Sequence, residues 1–291
     1  MKRGSFLAHV GWTGAGIAYA LTARGVARAT PAAPDAPYFV QISDSHIGFA
    51  QAANPDVAAT LQRAVDEINA RPVRPQFVVH TGDVTHLAKP EQFDAAKQIL
   101  AKLSAPVVVL PGEHDVLTGT PARFLSAFPP PSGSAGWFSW DAGGVHYVAL
   151  VNVFDFENMG LLGNEQLAWL ERDLAGLPRS RPIVAFAHVP LYALYPQWGW
   201  TTQDGAKALA LLARFDAVTV LNGHVHQTIE HVEGNIRFAT ARATAYPQPA
   251  PGAAPKPGPL TLPHDGLLRA IGYRTVELEA GTGVLHDVTL Q

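Results

Sequence analysis

A short apolar run that halts at a turn and hands over a metal-ligand side chain recurs along this chain, and few folds accommodate that pattern. In Phe77-Val78-Val79-His80-Thr81-Gly82-Asp83 the Phe and Val residues read as a buried strand. Gly82 then allows a sharp turn, so Asp83 falls at the strand's carboxyl end, the edge where ligands bind in open α/β sheets. Alone the pattern is weak, because an Asp after a strand commonly caps a helix or closes a turn. Four more runs end the same way. Tyr38 to Ser43 leads into Asp44-Ser45-His46, and Pro106 to Leu110 into Pro111-Gly112-Glu113-His114-Asp115. Pro182 to Ala187 leads into His188-Val189-Pro190, and Ala217 to Leu221 into Asn222-Gly223-His224-Val225-His226.

Helical patterns alternate with these strands. Asn54-Pro55 is a start signal before Val57, Leu61, Ala64, Val65 and Ile68, which recur on one helical face. A second helix starts near Pro90, with Phe93, Ala96, Leu100 and Leu103 on one side, and Asn164 is expected to cap a helix carrying Leu167, Leu170 and Leu174. A further helix is expected from about Gly205 to Arg214. Three strands joined by helices imply a parallel sheet covered on both faces. Trp137 to Trp140 and Val145 to Val151 flank Asp141-Ala142-Gly143-Gly144 as a hairpin, Gln227 to Thr240 reads as two strands around Gly234, and strands over Arg274 to Leu278 and Val284 to Leu290 close the chain. Tyr246 to Pro263, rich in Pro, Ala and Gly, reads as a long loop that either covers a site or is a tolerated surface insertion. The aromatic stretch Pro190 to Trp200 either walls a pocket or packs on the core or on a partner subunit, which leaves a homo-oligomer open.

The first 29 residues differ from the rest. Lys2-Arg3, a Gly/Ala-rich apolar stretch from Phe6 to Thr22 and Ala27-Arg28-Ala29 before Thr30 resemble a twin-arginine export signal, with Lys2 where the first arginine belongs. The alternative is a retained amphipathic or membrane-anchoring helix, for which the apolar stretch is short. Residues 30–37 read as a linker and 38–291 as one domain. Export machinery is then an expected partner, and the periplasm or the medium the expected location.

Collected, the strand ends offer Asp44, His46, Asp83, Glu113, His114, His188, His224 and His226. The 291 residues include no cysteine and twelve histidines, so thiolate sites and cysteine nucleophiles are excluded, and the oxygen and imidazole donors suit Mn, Fe or Zn. Neither the net charge of -3 nor any basic patch points to nucleic acid. In Asp44-x-His46 and His224-x-His226 the partners lie two apart, so on extended chain both project from one face.

In these motifs the chain resembles the calcineurin-like metallophosphoesterases, in the branch of cyclic-nucleotide and glycerophosphodiester phosphodiesterases. The family's ordered D-x-H, G-D, G-N-H-D/E, H and G-H-x-H are matched by Asp44-Ser45-His46, Gly82-Asp83, Gly112-Glu113-His114-Asp115, His188 and Gly223-His224-Val225-His226, and Leu162 to Leu170 looks like the family's central helix. The resemblance implies a four-layered α/β sandwich and two metal ions. Asp44, His46, Asp83 and His226 would hold one ion and Asp83, Glu113, His188 and His224 the other, with Asp83 bridging. His114 would face the phosphate and the leaving group, oriented by Asp115. The implied reaction is hydrolysis of a small phosphoester by a metal-bound hydroxide, without a covalent enzyme intermediate; a phosphodiester is the first substrate class and a phosphomonoester the second. A non-catalytic metal- or phosphate-binding protein of the same fold is the rival, because Glu113 stands where the family has Asn. That carboxylate either tightens the second metal or swings away and leaves the site weak.

Overall fold

The computed structural model describes residues 19–22, 25–28, 38–117, 121–279 and 282–291. Two compact units divide the chain, Met1–Ala36 and Pro37–Gln291. In the first, β1 (Tyr19–Thr22) and β2 (Gly25–Arg28) pair antiparallel. The rest of the expected export signal and the linker lie outside the described residues. No helix among the described residues is long and apolar enough to cross a membrane.

The second unit is a four-layered α/β sandwich. The first sheet contains β3 (Tyr38–Ile42), β4 (Val78–His80), β5 (Val107–Val109), β12 (Gly272–Glu279) and β13 (Thr282–Thr289) in the order β13-β12-β3-β4-β5. Strands β3, β4 and β5 are parallel, joined through α1 (Val57–Asn69) and α2 (Pro90–Leu100), and β12 runs antiparallel to both neighbours. The short α3 (Ala122–Ala127) follows β5. The second sheet contains β6 (Phe138–Ala142), β7 (Val145–Ala149), β8 (Ile183–Ala187), β9 (Val218–Asn222), β10 (Glu230–Glu233) and β11 (Ile236–Thr240), ordered β10-β11-β9-β8-β7-β6. Its four inner strands are parallel and its two edges antiparallel. Helices α4 (Gly163–Leu174) and α5 (Gly205–Leu212) cover its outer face, and α6 (His264–Ala270) packs against the first sheet's side of the molecule.

The layers follow from strand periodicity, since alternate side chains leave a strand on opposite faces. On β3, Val40 and Ile42 pack with Leu61 and Ile68 of α1, while Phe39 enters the space between the sheets. On β8, Ile183, Ala185 and Ala187 meet α4 and α5, whereas Val184 and Phe186 face the first sheet. Aromatic rings fill the inter-sheet layer: Phe39 stacks on Phe77 at 4.8 Å, and Trp140 on Tyr147 at 5.2 Å. Such runs are apolar on both faces because both faces are covered.

Two expectations need correction. Asp56, not Asn54, caps α1, its carboxylate accepting from the Ala59 N–H, while the Asn54 amide is used up on Thr60 and the Ala245 carbonyl. Asn164 does not cap α4; the carboxylate of Asp204, forty residues on, accepts from the N–H groups of Leu162 and Gly163. Helix α6 forms directly after the loop that reads as irregular to Pro263. The aromatic stretch serves the core and itself: Trp200 is buried, Tyr192 packs on Phe238 and His231, and Tyr195 meets Trp198 edge to face.

Candidate metal centre

All five ligand-bearing segments leave parallel strands at their carboxyl ends: Asp44 and His46 after β3, Asp83 after β4, Glu113 and His114 after β5, His188 after β8, His224 and His226 after β9. The two sheets are laced together there. Thr81 of the first sheet's edge accepts the Nδ1–H of His188 through its carbonyl at 2.7 Å, and the His224 N–H donates to both oxygens of Asp44 at 3.0 and 3.2 Å. The loops are sharply bent. Asp44, His46, Asp83, His224 and His226 all have φ between 43° and 68°, a left-handed conformation that disfavours non-glycine residues by roughly 1–2 kcal/mol each. Backbone bonds hold them in it, including Asp44 N–H to Gly82 O at 3.0 Å and His46 N–H to Asp83 O at 2.9 Å. Strain concentrated on five candidate ligands marks a site the surrounding fold over-determines. At Gly112 no side chain is possible, because a Cβ would run into the Asp83 carboxylate and amide nitrogen.

Two clusters result. Asp44, His46 and His226 form one, with His226 Nε2 3.3 Å from Asp44 Oδ1 and 3.2 Å from His46 Nε2. Glu113, His188 and His224 form the other, each Glu113 oxygen standing 2.9 Å from one imidazole nitrogen. Asp83 Oδ2 lies between them, 3.5 Å from Nε2 of both His46 and His188. Glu113 therefore turns inward and does not swing away. Burial raises its carboxyl, but the fields of His224 and His188 outweigh that and hold it well below the usual carboxylate range. Asp44 behaves alike: burial raises it, and His226 and His188 bring it down to about 2. Burial lowers His188, yet Asp83 and Glu113 carry it well above the ordinary imidazole value, whereas burial, His114 and His226 push His46 well below it.

The donor set fits a pair of cations. Glu113 Oε2, His188 Nε2 and His224 Nδ1 are buried without a hydrogen-bond partner, although His188 Nε2 stands 2.9 Å from Glu113 Oε2 and His224 Nδ1 2.9 Å from Glu113 Oε1. Close approach without hydrogen-bond alignment is what ligands converging on a common centre show. Among the described residues no Lys or Arg pairs with Asp44, Asp83 or Glu113. Buried carboxylates without such partners are stable only if something else supplies positive charge. The imidazoles are pre-set for it: Thr81 O takes the Nδ1–H of His188 and Tyr246 O that of His226 at 2.6 Å, leaving each Nε2 free to ligate.

His114 sits beside both clusters, half-buried, its N–H donating to Asp83 Oδ1 at 2.9 Å. Its Nδ1–H goes to the His86 carbonyl at 2.8 Å, so Nε2 is the nitrogen left for chemistry. Burial lowers this ring, but Asp83, Glu113 and the His86 carbonyl raise it above the ordinary value. Asp115, expected to orient His114, does something else. Its Oδ1 accepts from the N–H and hydroxyl of Thr85, both at 2.8 Å, and its Oδ2 from the N–H groups of Val84 at 3.0 Å and Gly112 at 2.9 Å. It clamps the loop carrying Asp83 to the loop carrying Glu113 and His114. Burial and the neighbouring Asp83 push Asp115 up to about 7, against which these four donors favour its anion.

Three further residues contribute. His80, near Asp83 in the sequence but no part of the ligand motifs, supports the site without facing either cluster: it is buried and neutral, lowered to about 4 by burial, and joins Ser45 Oγ at 2.9 Å to the Gly82 N–H at 3.3 Å. Sequence reasoning missed the other two. Tyr246 lays its ring over His46 at 5.0 Å and His226 at 4.9 Å, and Gln248 donates to the His224 carbonyl at 3.1 Å. The Pro-rich loop is thus no mere surface insertion, since its first residues build the site. No local signal in the sequence distinguished them from the exposed remainder.

A four-layered sandwich that gathers two carboxylate–imidazole clusters around one shared aspartate is the framework of a two-metal hydrolase. The chain belongs to the calcineurin-like phosphoesterases, whose family model matches residues 37–228, and it is a phosphoric ester hydrolase of the metallophosphoesterase kind. It is 25% identical over 224 residues to a probable glycerophosphodiester phosphodiesterase of Arcobacter nitrofigilis, covering 71% of this chain and 78% of that one. It is 27% identical to a probable cyclic nucleotide phosphodiesterase of Rhodopseudomonas palustris, covering 66% and 71%. The fold matches that of a dimetal phosphatase from Danio rerio with a TM-score of 0.64 at 15% identity, covering 87% of this chain and 99% of that one.

Proposed function

We propose that the protein is a metal-dependent phosphodiesterase acting on a small phosphoester. The observation that carries this reading is Asp83 Oδ2, 3.5 Å from one imidazole nitrogen of each cluster, with His114 hydrogen-bonded to the same carboxylate. Asp44, His46, Asp83 and His226 would hold one cation, and Asp83, Glu113, His188 and His224 the other. The oxygen and nitrogen donor set suits Mn, Fe or Zn. When bound, such a pair supplies Lewis acidity toward phosphoryl oxygens and a hydroxide nucleophile at neutral pH.

The chain's own residues do the remaining work. His114, held at Nδ1 by the His86 carbonyl, presents Nε2 to the leaving oxygen, where its imidazolium form would donate a proton. Asp115 keeps the Asp83 and His114 loops in register. The diester preference is supported by the relatives, which carry glycerophosphodiester and cyclic nucleotide phosphodiesterase names. Export of the chain through residues 1–29 is part of the same proposal; a reporter fused to that segment should leave the cytoplasm, and one retained there removes this part.

The deciding experiment compares hydrolysis of a chromogenic phosphodiester and its monoester by the Mn-loaded chain and by His114→Ala. Faster diester turnover that falls about 10²- to 10⁴-fold in the variant is expected for loss of a general acid. A monoester preference would replace the diester reading, and bound metal without turnover of either ester would refute the enzymatic one.

A further inference from the structure

His86 belongs to none of the strand-end motifs, yet it touches two of their histidines at once. Its carbonyl accepts the Nδ1–H of His114 at 2.8 Å, and its ring stacks on that of His114, 5.0 Å between centroids and 18° between planes. Its own Nδ1 stands 3.3 Å from Nδ1 of His46. Phe49 braces the ring edge to face at 5.2 Å, and the His86 N–H donates to the Ile47 carbonyl at 3.0 Å. The ring is thus fixed from several sides although it is not fully buried.

The His46 imidazole turns Nε2 toward Asp83 and His226, and for that nitrogen to ligate a cation held there it must offer a lone pair, which places the ring proton on Nδ1. That N–H needs an acceptor. His188 and His226 meet the same need with backbone carbonyls, those of Thr81 and Tyr246. His46 has instead the side chain of His86, whose Nδ1 is positioned to accept and whose proton then resides on Nε2.

Resting on the reading of this site as a metal centre, we propose that His86 is a positioning residue that sets two histidines together: its ring nitrogen fixes the metal-facing tautomer of His46, and its carbonyl and ring face fix the proton donor His114. The orientation of the proton donor would thereby be tied to the ligand geometry of one metal through a single residue, by its backbone carbonyl and its ring together.

The test uses the full chain stripped of metal and titrated with Mn(II), reading affinity and stoichiometry by electron paramagnetic resonance. Outer partners of metal-ligating histidines are typically worth about 10- to 100-fold in affinity. His86→Leu, which cannot accept a hydrogen bond, is expected to weaken one of the two sites by that factor and spare the other. His86→Asn, whose amide oxygen can take the place of Nδ1, is expected to restore most of the loss. Unchanged affinity in His86→Leu would overturn the proposal, and so would His86→Asn binding as weakly as His86→Leu, since ring packing rather than the hydrogen bond would then be responsible. A parent chain that binds no Mn(II) would overturn the metal-centre reading itself, an outcome visible before any variant is compared.

Discussion

Replacing Asp115 by Asn separates two accounts of a residue at the heart of the site. The carboxylate takes four hydrogen bonds, two on each oxygen, three of them from backbone N–H groups of Val84, Thr85 and Gly112. The isosteric amide has one oxygen. Its best placement keeps Val84 and Gly112 on that oxygen and turns the NH₂ toward Thr85, whose hydroxyl can rotate to accept. The Thr85 N–H is then buried, unpaired and facing another donor, which costs about 1–3 kcal/mol, and the remaining bonds lose their charge assistance, about 0.5–1.5 kcal/mol together. Relief of a buried carboxylate beside Asp83 offsets part of this, leaving a destabilisation of about 2 kcal/mol. For a domain of this size that is a fall of roughly 4–8 °C in melting temperature. Calorimetry of the metal-free Asp115→Asn chain measures it, and a Thr85→Val cycle isolates the Thr85 bond. If Asp115 served only to orient His114, turnover would collapse while the melting temperature stayed within about 2 °C of the parent; that result would refute the clamp.

Further expectations concern the same loops and one remote pair. Gly112→Ala drives a methyl group into the Asp83 carboxylate, so the metal count should drop below that of the parent in elemental analysis, with about 1–3 kcal/mol lost from overpacking. Tyr246→Ala removes the ring packed on Phe49, His46 and His226 and should cost about 3–5 kcal/mol in a urea titration, whereas Tyr246→Phe should cost little. His146 lies between Asp173 at 2.9 Å and Asp141 at 3.2 Å, with Arg181 also against Asp141. Burial lowers its ring, but the carboxylates raise it more. A raised folded-state pKa contributes stability that is present below the unfolded value of about 6.5 and is lost as pH rises through the folded one. The urea midpoint of the parent, relative to His146→Gln, should therefore fall as pH is raised above neutrality; identical pH profiles would refute the assignment.

Much of the site was legible because its chemistry is local. Asp44-x-His46, Gly82-Asp83, Gly112-Glu113-His114, His188 and His224-x-His226 each sit where an apolar run ends, and strand-end placement is decided by the run itself. What failed were inferences about partners. The resemblance implied that Asp115 orients His114, its neighbour in the sequence, but the 3-10 turn over Glu113–Asp115 points the carboxylate back to the Gly112 N–H and away from His114. The caps failed likewise: Asn54 and Asn164 are good capping residues by type, yet Asp204 reaches α4 from another segment of the chain.

The sequence by itself determined the α/β alternation, the buried strands and the ligand types, because periodicity, turn residues and donor chemistry are properties of a few consecutive residues. Only the tertiary structure decided which strands pair, that two sheets bring five ends together, that Glu113 faces inward and that His80, His86 and Tyr246 belong to the site. Those outcomes depend on contacts between residues tens to hundreds of positions apart, from His46 and His86 to Asp44 and His224. Left-handed backbone at Asp44, His46, Asp83, His224 and His226 is of the same kind: no residue there prefers it, and the packed loops around each one impose it.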